Sequence, residues 1–240
     1  DVDPYQKINV KKENFIRDVD RLIEEGYYGL NITIPLKEDA YKYCDNTSDV
    51  ARALKAVNTL TVNKDGVYGD NTDPIGFEKS IANRGLNNNL CLVLGAGGSA
   101  RAVVYALTHM KCEIGIYNRT RENAESLCSD LGVEATILTE KTLREFVGSS
   151  QLVVNTTSLG QQEGEENNLI DFNSLNSSAH VYDLIYNPSK TTFLKHAEKN
   201  GCTVQNGLEM LIYQAAQSFN VWHDIMPEID EELMSVLGAN

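Results

Sequence analysis

The sequence predicts an α/β protein of two domains, on three observations. Apolar runs of strand length alternate with amphipathic stretches of helical length over residues 90–206, the sequence form of a doubly wound sheet with helices on both faces. The first of those runs, CLVLG (91–95), is continuously apolar, as expected of a parallel strand covered on both faces. Ahead of residue 80 the texture differs, with shorter strands, a hairpin and polar residues gathered where elements end. The expected organisation is a first α/β domain from residues 1–80 and 208–240 and a second from 81–207.

Taken in order, residues 11–25 (KKENFIRDVDRLIEE) place Phe15, Val19, Leu22 and Ile23 at helical spacing, and Gly26 ends that helix. Tyr28–Ile34 alternates polar with apolar like a half-buried strand, and Pro35 stops its ladder. Residues 37–45 and SDVARAL, after Thr47, read as helices. TLTV and GVYG flank Asn63-Lys64-Asp65-Gly66, a hairpin turn. Asp73 before Pro74 reads as an N-cap with proline at the first helical position. After CLVLG come a helix at about 98–110, strand CEIGIY, a helix at about 121–131, strand EATIL, a helix at about 140–147 and strand LVVNT. HVYDLIY and CTVQN follow as strands around the helix TTFLKHAEKN. The last helix, about 207–222, carries Leu208, Leu211, Ile212, Ala215 and Phe219 on one stripe and is expected to pack back on the first domain, the sheet being complete.

Composition narrows the function classes. A formal net charge of −13 and a pI near 4.7 argue against nucleic acid, whose phosphates would be repelled. Cys44, Cys91, Cys112, Cys128 and Cys202 are scattered, odd in number and without a CxxC pair, so they read as reduced, buried thiols of a cytoplasmic protein. The four histidines show no ligand spacing, and no metal site is expected. No apolar run approaches the roughly 18 residues of a membrane span, and no secretory signal is evident at the start.

Gly95-Ala96-Gly97-Gly98-Ser99-Ala100 matches G-x-G-x-x-A directly after a strand and at the opening of a helix. Such a turn lets backbone approach a pyrophosphate, with helix N–H groups facing the phosphates, and marks a Rossmann-type dinucleotide domain. A tight turn without a ligand would need one small residue where three stand. The next strand ends in Asn118-Arg119-Thr120-Arg121 instead of the Asp or Glu that binds a ribose 2′-hydroxyl. A guanidinium there suits a 2′-phosphate, so NADP is expected over NAD. Arg121 reads equally well as a solvated surface residue.

NITIPLK (31–37), AVNT (56–59) and GDNTD (69–73) are polar clusters that folding alone does not explain. A lysine and an aspartate meeting at one site make a proton-transfer pair, which a hydride reduction of a carbonyl requires. The plainer alternatives are a surface lysine at 37, an Asx-type turn at Asp70-Asn71 and the capping role of Asp73.

These three stretches, with GAGGSAR, NRT, NTTSLG, DLIYNP and NGLEMLIYQA, stand in the order found in the shikimate dehydrogenase family, which the chain resembles from about residue 5 to about 225. The resemblance implies an α/β substrate domain, a Rossmann-type NADP domain and NADPH-dependent reduction of 3-dehydroshikimate to shikimate in aromatic amino acid biosynthesis. It implies Lys37 and Asp73 as the catalytic pair, and Thr33, Asn58, Asp73, Tyr186 and Gln214 as substrate-binding residues. It further implies Gly95, Ala96, Gly97, Gly98, Ser99, Asn118, Arg119, Thr120, Leu184 and Gly207 as cofactor-binding residues. Thr156 and Ser158 are expected to line the cofactor cleft, and Asn31 to shape its loop. Gln214 lies seven residues beyond Gly207, about two helical turns, so one helix could serve both ligands. The resemblance implies partners no larger than substrate and cofactor, and a monomer or homodimer. Family members usually carry a strand and a Ser-x-Ser-Pro stretch ahead of this region, absent here, so the first domain is expected to be N-terminally incomplete. The competing readings are a shikimate/quinate dehydrogenase of broader specificity, a non-catalytic shikimate-binding relative, and another two-domain NADP enzyme.

Overall fold

The computed structural model describes residues 5–162 and 165–238. The chain forms two compact units, Asp1–Asn71 and Thr72–Asn240.

In the first unit the elements run α1 (Phe15–Glu24), β1 (Gly29–Asn31), α2 (Lys37–Tyr43), β2 (Asn46–Thr47), α3 (Asp49–Leu54), β3 (Thr59–Asn63) and β4 (Gly66–Asp70). Among the described residues the four strands form one sheet in the order β1-β3-β4-β2, with β1, β3 and β4 antiparallel and β2 parallel to β4. The apolar stripe read from the sequence builds the core, where Phe15 and Val19 of α1 pack with Ile32, Leu36, Ala40, Ala51, Val57 and Leu60. The strand expected over Tyr28–Ile34 is shorter than its alternation suggests. The Ile32 N–H reaches the Asn58 carbonyl at 2.7 Å, and the chain then turns, Leu36 N–H donating to Thr33 O at 2.9 Å. Proline at 35 leaves no donor to carry the ladder on.

The second unit continues with α4 (Asp73–Ile81), β5 (Leu90–Leu94), α5 (Gly98–His109), β6 (Glu113–Tyr117), α6 (Arg121–Leu131), β7 (Thr136–Ile137), α7 (Glu140–Ser149) and β8 (Leu152–Asn155). It ends with β9 (His180–Asp183), α8 (Thr192–Lys199), β10 (Thr203–Asn206), α9 (Leu208–His223) and α10 (Glu231–Leu237). Among the described residues six strands form one parallel sheet, β10-β9-β8-β5-β6-β7. Strand order reverses between β5 and β8, the switch point where open α/β sheets bind ligands at the carboxyl ends of their strands. Both faces are covered: Cys91 and Val93 pack with α4, α5 and α6, while Leu92 and Leu94 pack with α7 and α8. HVYDLIY, expected as a strand throughout, pairs only over His180–Asp183. Asp73 opens α4 as its first residue, and the cap position falls to Thr72, correcting the reading of Asp73 as the cap.

Helix α9 packs on α4, and α4 also packs on α5. Gly76 allows the close crossing, because a Cβ there would stand 2.8 Å from both Gln214 Cβ and Met210 O. Beneath α4 runs a buried polar chain. Ser80 Oγ lies 3.0 Å from Tyr182 Oη, Gln205 Nε2 donates to Ser80 O at 2.9 Å, and the Gln205 oxygen faces His180 Nε2 at 2.8 Å. Because Gln205 Oε1 can only accept, His180 donates through Nε2, and its Nδ1 accepts from Thr203 Oγ1 at 2.9 Å. Burial, aided by the Arg84 charge and opposed by the Gln205 bond, lowers the His180 pKa from 6.5 to about 4. The folded state thus prefers the neutral ring, so this contribution to stability is complete above pH 6.5 and is lost as pH falls through about 4. In urea unfolding across that interval, His180→Asn is expected to make the slope of stability against pH less positive than in the parent protein, and an unaltered slope would remove His180 from the titration.

Candidate active site

The Gly-rich turn lies at the switch point. Gly95 follows β5, its N–H donating to Tyr117 O at 2.8 Å, and Thr156 N–H follows β8 by donating to Leu94 O at 2.9 Å. The glycines of the turn have different reasons to be there. Gly95 has φ +109°, and a Cβ on it would stand 2.5 Å from Thr156 Oγ1, so the fold itself requires it. At Gly97 and Gly98 a Cβ would meet nothing within 4 Å. Packing does not demand these two, and the space over them suits an approaching phosphate. Gly97 is the N-cap of α5 and no side chain caps that helix start, leaving its first N–H groups to a ligand or to water. Ala96 and Ser99 complete the turn, Ala96 packing on the core.

Leu94 and Tyr117 are register partners, so Asn118, Arg119 and Thr120 emerge beside this turn. Asn118 Nδ2 donates to Thr120 O at 2.7 Å, closing the loop on itself. Arg119 is exposed and makes no hydrogen bond or ion pair with any described residue, whereas Arg121 is tied to Glu125 at 2.6 Å. Of the two guanidiniums read from the sequence, Arg119 is the one available to a 2′-phosphate. An open anion cradle with an uncommitted guanidinium nearby fits a phosphorylated dinucleotide.

Leu184 and Gly207 come together: a Cβ on Gly207 would stand 2.0 Å from Leu184 O, so only glycine allows this approach. The loop bearing Leu184 and Tyr186 is held by a residue the motif reading passed over. Asp183, wholly buried, accepts from Asn155 Nδ2 at 3.0 Å, Ile185 N–H at 3.1 Å and Thr191 Oγ1 at 2.6 Å. Burial raises its pKa from 3.8 to about 6, against the pull of those three bonds. The available signal was a carboxylate closing an otherwise apolar strand. Tyr186 is exposed on that loop. Thr156 spends its hydroxyl on Leu94 O at 2.7 Å, and Ser158 is exposed.

At the start of α4, Asp73 is half-buried and its neighbour Thr72 is fully buried. Thr72 Oγ1 donates to Gln214 Oε1 at 3.4 Å and lies 3.2 Å from Ser218 Oγ, while Gln214 Nε2 donates to Leu211 O at 2.9 Å. Asp73 and Gln214 therefore belong to one corner of the second unit. Thr72, part of GDNTD but given no role in the sequence reading, bonds the Gln214 amide, and Ser218 joins them through Thr72 and the Gln214 main-chain oxygen.

Lys37, Thr33 and Asn58 belong to the first unit. Thr33 is exposed in the turn after β1. Lys37, half-buried, opens α2, and its carbonyl accepts from Val57 N–H at 2.9 Å. Asn58 is buried, its N–H donating to Asp70 O at 3.0 Å. Asp70 in turn accepts from Ser48 Oγ at 2.5 Å, and Asn71 Nδ2 donates to Ala56 O at 2.9 Å. The hairpin and the turn before Lys37 are thus laced together.

Family models cover most of the chain. Residues 3–60 match the shikimate dehydrogenase substrate binding domain, 78–181 the shikimate / quinate 5-dehydrogenase model, and 207–231 the shikimate 5′-dehydrogenase C-terminal domain. A shikimate dehydrogenase (NADP(+)) of Caldicellulosiruptor bescii is 40% identical over 220 residues, 90% of this chain and 76% of that protein. The chain belongs to the shikimate dehydrogenase family. Among solved members, the shikimate 5-dehydrogenase of Thermus thermophilus, in complex with NADP(H) and shikimate, superposes with a TM-score of 0.83 at 31% identity, covering 95% of this chain and 84% of that one. The quinate dehydrogenase of Corynebacterium glutamicum, in complex with NAD, gives 0.82 at 28% identity, over 93% and 82%. Such similar scores show that proteins named for shikimate and for quinate share this fold. Among the described residues no helix is long and apolar enough to cross a membrane.

Proposed function

We propose that this chain catalyses the reversible, NADPH-dependent reduction of 3-dehydroshikimate to shikimate, in the cytoplasm, as a monomer or homodimer with small molecules as its ligands. The observation that carries the cofactor half is the uncapped, open start of α5 beside the uncommitted Arg119. Gly95 to Ser99, Asn118 to Thr120, Leu184 and Gly207 hold NADP in this reading, with residues 81–207 as its domain. Residues 1–80 and 208–240 form the substrate domain.

NADP(H), when bound, supplies or accepts the hydride, and the side chains do the rest. Lys37 delivers the proton to the alkoxide that forms on reduction, and takes it back on oxidation. Asp73 accepts from the reacting hydroxyl. Thr33, Asn58, Tyr186 and Gln214 bind the remaining polar groups of the substrate. Support comes from family membership and from the positions of Lys37, Asn58 and Asp73 at the ends of elements. A site of amides and hydroxyls discriminates against analogues lacking a hydroxyl, because each such analogue leaves a buried polar group unpaired.

The second reading, quinate as an additional substrate, is favoured by the family model that spans both activities. Initial rates with shikimate and with quinate, each with NADP+ and NAD+, separate the two. Shikimate with NADP+ is expected to give the highest kcat/KM, and an equal or higher value for quinate would move the assignment. Shikimate binding by calorimetry with no reduction of either cofactor would replace the enzyme by a ligand-sensing relative.

A further inference from the structure

We infer that Gly76 is a positioning residue that seats Gln214 along α4, with Thr72 steadying the amide at the far end; the inference rests on the assignment of Gln214 to substrate binding. Gly76 is buried where α4 packs on α9. A Cβ on it would stand 2.8 Å from Gln214 Cβ, 2.8 Å from Met210 O and 3.0 Å from Gln214 N. Met210 and Gln214 are four residues apart on α9, about one turn. The glycine therefore lies against the backbone of α9 at the turn that carries Gln214. On α4, Thr72 is the N-cap residue and Asp73 the first of the helix, and the Gly76 N–H donates to Thr72 O at 3.0 Å. Residues three and four apart share a helix face, so Thr72 and Asp73 stand one turn from Gly76 on the side that meets Gln214.

Both ends of the Gln214 side chain are thus set by one turn of α4. Its root rests on Gly76, and its amide reaches Thr72, whose Oγ1 lies 3.4 Å from Gln214 Oε1. Leu211 O, 2.9 Å from Gln214 Nε2, can only accept, so the NH2 group faces Leu211 and the amide oxygen faces Thr72. Glycine forms helix less readily than alanine, so local preference gives no reason for it at 76; the close crossing does. A methyl group added there meets backbone atoms and the root of a side chain, not a flexible tip, and a rotamer change cannot absorb it. Helix α4 is also held by α5, and by Gln205 Nε2 on Ser80 O at 2.9 Å. The displacement therefore falls on α9 and takes the Gln214 amide away from Thr72 and from the end of α4 where Asp73 stands.

The test is a double-mutant cycle of Gly76→Ala and Gln214→Ala. Gly76→Ala alone is expected to raise the KM for shikimate about tenfold, the size of one hydrogen bond, and to leave the KM for NADP+ in place. In the Gln214→Ala background the same substitution is expected to add little, since no amide remains to be misplaced. A glycine that served packing alone would change stability and leave the KM for shikimate where it was. An unchanged KM in Gly76→Ala, or a full tenfold rise repeated in the Gln214→Ala background, overturns the inference. Should Gly76→Ala fail to fold, Thr72→Val, which removes the hydroxyl at the amide end, is expected to give the same rise and to lose it in the Gln214→Ala background. An unchanged KM in Thr72→Val, or a rise that persists without Gln214, counts equally against the seating. The side-chain 15N–1H resonances of Gln214 in the ligand-free protein are expected to move in Gly76→Ala and in Thr72→Val, and unmoved resonances refute it. Gln214→Ala with the parent KM for shikimate sinks the assignment of Gln214 to the substrate instead, while the resonances still judge Gly76.

Discussion

Lys37→Ala is expected to lower turnover of shikimate by about 10²–10⁴-fold, the range typical for removal of a general acid or base. Shikimate affinity, read by calorimetry, is expected to change little, since the proton matters most when charge develops on the reacting oxygen. The site chosen for this lysine favours such a role. It opens α2 straight after a turn closed by Leu36 N–H on Thr33 O, and its own carbonyl is held by Val57 N–H. Two backbone bonds thus fix the base of this side chain. Near-normal turnover in Lys37→Ala would take the residue out of the chemistry and leave Asp73 without its assigned partner. Lys37→Arg sharpens the comparison, because a guanidinium keeps the charge but does not give up a proton at working pH; it is expected to keep binding and to recover very little rate.

The second large effect concerns cofactor choice. Arg119→Ser is expected to raise the KM for NADPH by about ten- to a hundredfold, the loss of charge-assisted bonds to one phosphate group, and to leave the KM for NADH nearly unaltered. The contrast between Arg119 and Arg121 gives the internal control. Arg121 is engaged with Glu125 one turn along α6, so Arg121→Ser is expected to change both cofactors' constants little. Equal shifts for NADPH and NADH in Arg119→Ser would mean that the guanidinium does not read the 2′-phosphate.

Much of this architecture is legible in the sequence because it is local. The continuous apolar run at 91–94 announces a strand covered on both faces, and Leu92 and Val93 do face opposite cores. The glycine turn announces the switch point. What escapes is set by partners far away in sequence. The strand at Tyr28–Ile34 bonds from Ile32 N–H to Asn58 O, a distant partner with no mark on residue 32, before giving way to the turn closed by Leu36 N–H on Thr33 O. HVYDLIY stops at Asp183 because that carboxylate takes the Ile185 N–H and turns the chain. Periodicity reads which face a residue takes; it does not read where a ladder runs out.

Strand β9 carries one further consequence. Its first residue, His180, sheds its proton on folding, and its last, Asp183, takes one up. The histidine weakens the fold as acidity increases, whereas the carboxyl group, whose favourable contribution is present below pH 3.8 and lost as pH rises through about 6, strengthens it. Between about pH 4 and 6 the two trends oppose and largely cancel. Within four consecutive residues, acidity therefore pushes the stability of the sheet in two opposite directions.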